Sequence, residues 1–493
     1  MVNQKKIILI ALIIAQVLLA GTVFGQKKKE KKDRYTPPAI ETPTVFRGDP
    51  TASTAPNSIG DLKFFEVFKD EKLQELINAA VVRNYDLREA VARINIERAN
   101  LGLTRSNQFP QVAAGANLSS SRSALNGASP VGTTGGTTQN GSGTTTGQIQ
   151  RNRNIGGVFL DLLSFEIDIW GRLRQQTKAA RAIVQATEED RSAAQTTVVS
   201  DVATNYFNLL ELDSELEIAR RTLAGRENSL QIIKIREQGG IATLLEVRQA
   251  EELVYQASQT IPDAERQIEQ TENLISLLTA ANPGPIARGR SLSEQEELPS
   301  VPPGLPSELL ARRPDIRAAE QRLIADNALI KAAKAAYFPT ISLTGLFGFQ
   351  SNQLSSLFSG GGAYYNFAPQ LIQPIFTAGR LKSNVRFQQA EQELAIAQYQ
   401  QTIQTAFREV SDALAERRRV KEIRAQQELL VEALRDRSRL AYLRYEGGVD
   451  TLLNALDSDR ELFNAELNLT QTKRNELLAL VRLYKALGGG WQQ

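Results

Sequence analysis

Few side chains in this 493-residue sequence are equipped for covalent chemistry. There is no cysteine and no histidine, and the only methionine is Met1. That removes disulfides, thiolate or imidazole metal ligation, cysteine nucleophiles and every histidine-based triad. Carboxylates, lysines, tyrosines and serines remain, but no glycine-rich phosphate loop or two-carboxylate constellation stands out among them. No enzyme activity, cofactor or metal site is expected. The charged residues must act by where a scaffold puts them, so the elements of that scaffold come next.

The chain contains itself twice. Gly171-Arg172-Leu173 returns 208 residues on as Gly379-Arg380-Leu381, and the run from Arg236 through Gly239-Gly240 to Leu245 returns at the same offset as Arg444 through Gly447-Gly448 to Leu453. Upstream, Asp86 to Ala90 matches Asp315 to Ala319 and Phe109-Pro110 matches Phe338-Pro339, both 229 residues apart. The two offsets differ by 21, so one insertion lies between Pro110 and Gly171. Duplication on this scale means one architectural unit used twice. The organisation read from it is a signal peptide at 1–25, an extended leader at 26–60, a first repeat at 61–290 and a second at 291–493.

The signal reading rests on Lys5 and Lys6, the apolar run Ile7 to Leu19, and small residues up to Gly25. A retained anchor is the competing reading, since the apolar stretch is borderline for spanning a bilayer. Beyond it no apolar run reaches membrane-helix length, so insertion of the mature chain would have to use β-strands. The formal net charge is +3, with both signs interspersed along helical stretches. That is the pattern of solvated faces, and no nucleic-acid partner is expected.

Each repeat has the same parts. A moderate helix (Asn84 to Gln108, then Asp315 to Tyr337) stops at Phe-Pro, where proline forces extension. Two strands follow, at about 111–124 and 153–170 in the first copy and 338–350 and 362–377 in the second. They alternate in polarity: Ile341, Leu343, Gly345, Phe347 and Phe349 oppose Ser342, Thr344, Gly348 and Gln350. Such strands suit either a barrel wall between lipid and water or a half-buried soluble sheet. The Gly/Thr/Ser-rich stretch Gly127 to Gly147 joins the first pair and accounts for the insertion, as an exposed loop would. Long coiled-coil-like helices then run from about Arg172 to Arg236 and Arg380 to Arg444, each roughly 100 Å at 1.5 Å per residue. Helices return over Thr243 to Ala281 and Leu452 to Leu487, and Pro262 predicts a bend in the first. One returning helix plus one pre-Phe-Pro helix nearly equals a long one, so the short helices are expected to stack end to end. Four strands cannot close a membrane barrel, so lipid-facing strands would require oligomerisation: eight strands from a dimer, twelve from a trimer.

These residues also carry a family likeness. Ser164-Phe165-Glu166 through Trp170-Gly171-Arg172-Leu173, Asn282 to Pro285, Arg312 to Arg317, Ala335 to Thr344, Gln373 to Phe376 and Leu483 to Trp491 together resemble the TolC-type outer-membrane efflux ducts. The closest likeness is to the OprM/NodT-like branch paired with RND pumps. The resemblance implies a mainly α fold with membrane β: a duplicated β-barrel plus long α-helical barrel, formed by a homotrimer with twelve strands and twelve helices. It implies an outer-membrane channel conducting drugs or other small substrates, with a periplasmic adaptor and an inner-membrane RND pump as partners, and no cofactor. Most members of that branch carry an acylated cysteine after the signal. This chain has none, so retention in outer-membrane lipid would rest on the barrel.

The two Gly-Gly turns join long to returning helix, and glycine there is first a C-cap. The resemblance makes these tips the adaptor-docking end, with Arg236, Gly239, Gly240 and Leu244 in the first and Arg444, Gly447, Gly448 and Leu452 in the second. It also places Arg444, Tyr445, Leu453 and Asp457 at the closed periplasmic aperture. In a trimer Leu453 would form an apolar ring and Asp457 a negative one, while Arg444 and Tyr445 would tie this hairpin to its neighbour. Tyr445, Asp450 and Asp457 face Glu237, Ala242 and Gln249 at the 208 offset, so the symmetry of the repeats is broken at the second tip, where a gate is expected. A periplasmic adaptor and a soluble coiled-coil scaffold explain less of the chain. A type I protein-secretion conduit is the alternative within the family.

Overall fold

The computed structural model describes residues 43, 46, 47, 59, 62–122, 152–295, 306–359 and 361–491. The expected signal peptide, nearly all of the leader and the Gly127–Gly147 loop lie outside the described residues. In chain order, α1 (Phe64–Val67), α2 (Glu71–Arg83) and α3 (Tyr85–Ser106) lead to β1 (Val112–Arg122) and β2 (Asn152–Glu166). α4 (Arg172–Gln238) and α5 (Leu244–Leu278) form the first hairpin. The order then repeats as α6 (Pro306–Arg312), α7 (Pro314–Ala335), β3 (Thr340–Ser351), β4 (Ala363–Ile372), α8 (Arg380–Glu446) and α9 (Leu452–Ala486). The long helices have 67 residues each and the returning helices 35 each, with boundaries that match at the 208 offset.

Each strand-to-helix passage turns on a glycine. Gly171 (φ 79°) and Gly379 (φ 82°) precede α4 and α8 in the left-handed region that other residues reach only at a cost. β2 stops at Glu166 and not at 170, because Asp168 leaves the strand to cap α4. Its carboxylate accepts from the backbone N–H groups of Leu173 (3.1 Å) and Arg174 (2.8 Å). Trp170 stacks on Phe338 with ring centroids 4.8 Å apart, and its Nε1 donates to the Pro339 carbonyl at 2.8 Å. The Trp-Gly-Arg motif of one repeat is thus fastened to the Phe-Pro motif of the other. β4 likewise ends at Ile372, short of the expected 377.

The short helices do continue the returning ones. Asn84 caps α3 by accepting from Asp86 N (2.8 Å) and Leu87 N (3.2 Å), while its Nδ2 donates to the Leu278 carbonyl at the end of α5 (2.9 Å). At the matching position of the second repeat, Arg313 donates Nη1 to the Ala486 carbonyl at the end of α9 (2.9 Å). The same joint is made twice with different side chains. Small residues let these columns approach the long helices: Ala179 and Ala182 of α4 meet Ala325 and Ala328 of α7. α5 is continuous through Pro262, where a bend is expected from sequence. Its length of contact with α4 holds it against the lost backbone donor.

A buried carboxylate organises the core beside these joints. Asp70 caps α2 through Lys72 N (2.9 Å) and Leu73 N (3.2 Å). It also accepts from Tyr206 of α4, from Arg290 N and from Gln295 Nε2, each at 3.0 Å. Tyr206 Oη in turn accepts from Gly289 N at 2.9 Å. A Cβ on Gly289 would stand 2.2 Å from Asp70 Oδ1, so only glycine lets the post-α5 segment approach. Phe68 packs edge-on against Tyr484 (5.9 Å) next to this cluster.

Burial pushes the Asp70 carboxyl up, but the hydrogen bonds from Gln295, Arg290, Leu73 and Tyr206 outweigh it and hold it below the usual range. A depressed carboxyl contributes stability above its unfolded pKa and loses it as pH falls through the folded one. Asp70→Ala is therefore expected to cost on the order of 3 kcal/mol by leaving several buried donors unpaired. Melting of the detergent-solubilised protein near neutral pH checks this, and the gap to wild type should shrink as pH falls below about 4. Gly289→Ala should lower the melting temperature in the same assay.

Candidate functional site

The four strands form one antiparallel sheet in the order β1-β2-β3-β4. Residues directly opposite share a face, so the register sorts the sheet into rows. Ala114-Leu160-Phe347-Tyr365, Val112-Leu162-Gly345-Phe367 and Ala116-Val158-Phe349-Ala363 lie on one face. Leu343-Pro369 and Ile341-Leu371 continue it. No charged or amide side chain occurs in these rows. The opposite face carries Asn117, Asp161, Ser342, Thr344, Gln350, Asn366 and Gln370. Among the described residues nothing covers the apolar face: Leu118, Leu160, Phe347, Tyr365, Phe367 and Leu371 are all exposed. An apolar face backed by a polar one is the wall of a membrane barrel, and the half-buried soluble sheet lacks its covering layer. No helix among the described residues is long and apolar enough to cross a membrane.

The hairpin tips at the far ends of α4 and α8 are alike in backbone and unlike in side chains. In each pair only the second glycine is left-handed, Gly240 (φ 74°) and Gly448 (φ 71°); Gly239 and Gly447 remain right-handed. The backbone N–H groups of Ile241 and Val449 close the turns on the carbonyls of Arg236 (2.8 Å) and Arg444 (3.0 Å). The first tip is then capped by Thr243 and Glu246, whose carboxylate accepts from Thr243 N at 2.6 Å. At the second, Asp450 accepts from Thr451 N (2.8 Å), Asn454 Nδ2 (2.7 Å) and Arg444 Nε (3.0 Å). Those three, with Asn454 contributing most, hold its carboxyl below the usual range.

This difference decides where the two arginines go. Within the chain Arg444 pairs with Asp450 of its own hairpin. Arg236 faces Ala242 at the corresponding place and lies instead 4.7 Å from the ring centroid of Tyr445, joining the first tip to the second. Leu453 is 58% exposed, whereas Leu452, expected among the docking residues, is 1% exposed. Leu452 packs with Ile233, Val247, Leu253 and Leu456 in the apolar cluster between hairpins. Its counterpart Leu244 is exposed. Asp457 is not a bare carboxylate: Arg437 Nη2 (3.2 Å) and Arg460 both donate to it.

Sequence reasoning missed a second tie between hairpins. Buried Arg226 of α4 donates Nε to Asp459 of α9 (2.7 Å) and Nη1 to the Leu253 carbonyl of α5 (2.8 Å), and stands over Phe463 (5.0 Å). At the 208 offset Arg226 is matched by Leu434 and Asp459 by Glu251, so the repeat carries no second copy of this tie that could reveal it.

The outer membrane efflux protein family matches residues 76–281 and 305–489. Over 432 residues the chain is 38% identical to a probable efflux pump outer membrane protein, SepC, of Pseudomonas putida, covering 87% of this chain and 86% of that protein. A crystallised membrane protein of Pseudomonas aeruginosa superposes with a TM-score of 0.82 at 33% identity, over 93% of this chain and all of the other. The open state of the MtrE outer membrane channel of Neisseria gonorrhoeae gives 0.81 at 32% identity, over 93% and 98%. The apolar sheet face and the long paired hairpins are thus those of a channel family and not of an enzyme family, and this chain belongs to the outer membrane efflux proteins.

Proposed function

We propose that three copies of the chain close a twelve-stranded barrel in the outer membrane above a tunnel of twelve helical columns in the periplasm. Through it drugs or other small substrates pass, delivered by a periplasmic adaptor and an inner-membrane RND pump. The observation that carries this reading is a four-stranded sheet whose apolar face is uncovered and whose two edges are both open among the described residues. Such a sheet is stable in hydrocarbon only when closed into a barrel. Two copies would supply eight strands and three would supply twelve; family membership favours three. The repeats 61–290 and 291–493 each contribute one hairpin and two strands to this arrangement.

At the periplasmic end the adaptor would meet Arg236, Gly239, Gly240 and Leu244 together with Arg444, Gly447 and Gly448, with Leu452 beneath them as support. Leu453 and Asp457 would line the aperture, where three-fold symmetry repeats each residue around one axis. Because Asp457 brings Arg437 and Arg460 with it, that ring would be of mixed charge. Arg444 with Asp450, and Tyr445 with Arg236, would hold the closed arrangement.

Light scattering in detergent should give the mass of three copies, and a single-copy mass would exclude the barrel. In planar bilayers Leu453→Ala combined with Asp457→Ala should raise single-channel conductance; an unchanged value removes these residues from the aperture.

A further inference from the structure

Among the described residues both outer edges of the sheet are open, and hydrogen-bond parity shows which backbone groups they offer. Leu163 N donates to the Gln111 carbonyl (2.9 Å). In β1 the odd-numbered residues therefore bond to β2, and the even-numbered ones turn N–H and C=O to the open edge. Gln350 N donates to the Gly362 carbonyl (2.7 Å), so in β4 the even-numbered residues bond to β3 and the odd-numbered ones face outward. Among those outward residues is Pro369, which has an acceptor but no donor.

The duplication supplies the register in which these edges would meet. β1 matches β3 and β4 matches β2, so the internal β2–β3 pairing is a template for β4 against β1 of a second copy. Below the irregularity in β2, Ile167 N donates to the Ile341 carbonyl (2.8 Å). Their equivalents, at offsets of 208 and 229, are Ile375 and Val112. Above it, one extra residue in β2 aligns Leu162-Leu163 with Leu371-Ile372, and the pair Leu162–Gly345 becomes Leu371–Ala116. With the extra residue of β2 removed, the two mappings join in one continuous register. Both also set outward residues of β4 against outward residues of β1. Ile375 is 94% exposed against 43% for Ile167, as expected for a residue whose partner strand belongs to another copy.

We propose that β4 pairs with β1 of a second copy in the register that sets Gln370 opposite Asn117, and that Pro369 then leaves the carbonyl of Leu118 in that copy without a donor. The inference rests on the multi-copy barrel of the preceding section. At the equivalent row of the internal seam, Leu160 and Phe347 both carry an N–H. The seam between copies is one hydrogen bond poorer there, and hydrocarbon supplies no water in its place. It is the line along which copies part first.

A chain without cysteine makes the register testable by cross-linking. Gln370 and Asn117 form a non-hydrogen-bonded pair, where Cβ atoms come closest, and within one chain they lie on opposite edges of the sheet. Gln370→Cys with Asn117→Cys should oxidise to covalent multimers on non-reducing gels. Gln370→Cys with Gly115→Cys or Ser119→Cys, slipped by two residues, should give about tenfold less. Stronger cross-linking in either slipped pair overturns the register. A single-copy mass by light scattering would instead overturn the barrel itself. Pro369→Ala restores a donor and should raise the temperature at which the multimer dissociates in SDS; an unchanged or lower temperature overturns the role given to Pro369.

Discussion

Every backbone N–H and C=O in hydrocarbon needs a partner, and that requirement governs this molecule more than any side-chain contact. The apolar rows across β1 to β4 place the sheet in lipid, while the free edges of β1 and β4 forbid it from standing there alone. In the proposed assembly other copies complete the wall, and the helices below are columns that those copies extend. The duplication satisfies both needs with one plan, because each repeat delivers two strands and then a long helix with a returning partner.

Transmission between wall and columns is local and strongly built. Gly171 and Gly379 redirect the chain, Asp168 caps α4, and Trp170 locks the passage to Phe338-Pro339 of the other repeat. Further down, Asn84 and Arg313 join the short helices to the returning ones, and Asp70 clamps α2, α4 and the post-α5 segment about one carboxylate. Toward the tips the hairpins are tied by Arg221 with Glu466, Arg226 with Asp459, Arg236 on Tyr445, and the apolar cluster holding Leu452.

Much of this was legible in the residues. The repeat offsets placed the four long and returning helices nearly to their ends, and alternation found all four strands and their apolar face. Strand ends were overshot because Asp168 and Gly171 act through three-dimensional capping that alternation does not record. The joint made by Asn84 and Arg313 was invisible because its two copies use unlike side chains. Asp70 was missed because its partners lie as far off as Tyr206 and Gln295. At the tips, glycine positions were readable but the fate of the arginines was not. Whether Arg236 finds a carboxylate or a ring depends on Ala242 standing where the other copy has Asp450. Leu452 is buried in the apolar cluster with Ile233 and Val247, whereas its counterpart Leu244 stays outside.

One face of the sheet meets lipid and the other meets water. Spin labels placed one at a time on β2, in a chain that offers no other thiol, test it most directly. In reconstituted membranes, labels at Val158, Leu160 and Leu162 should collide with oxygen dissolved in the bilayer, and labels at Phe159 and Asp161 with a water-soluble nickel chelate. Alternation with that phase is what the account predicts. Uniform accessibility along the strand, or alternation with the opposite phase, would contradict it.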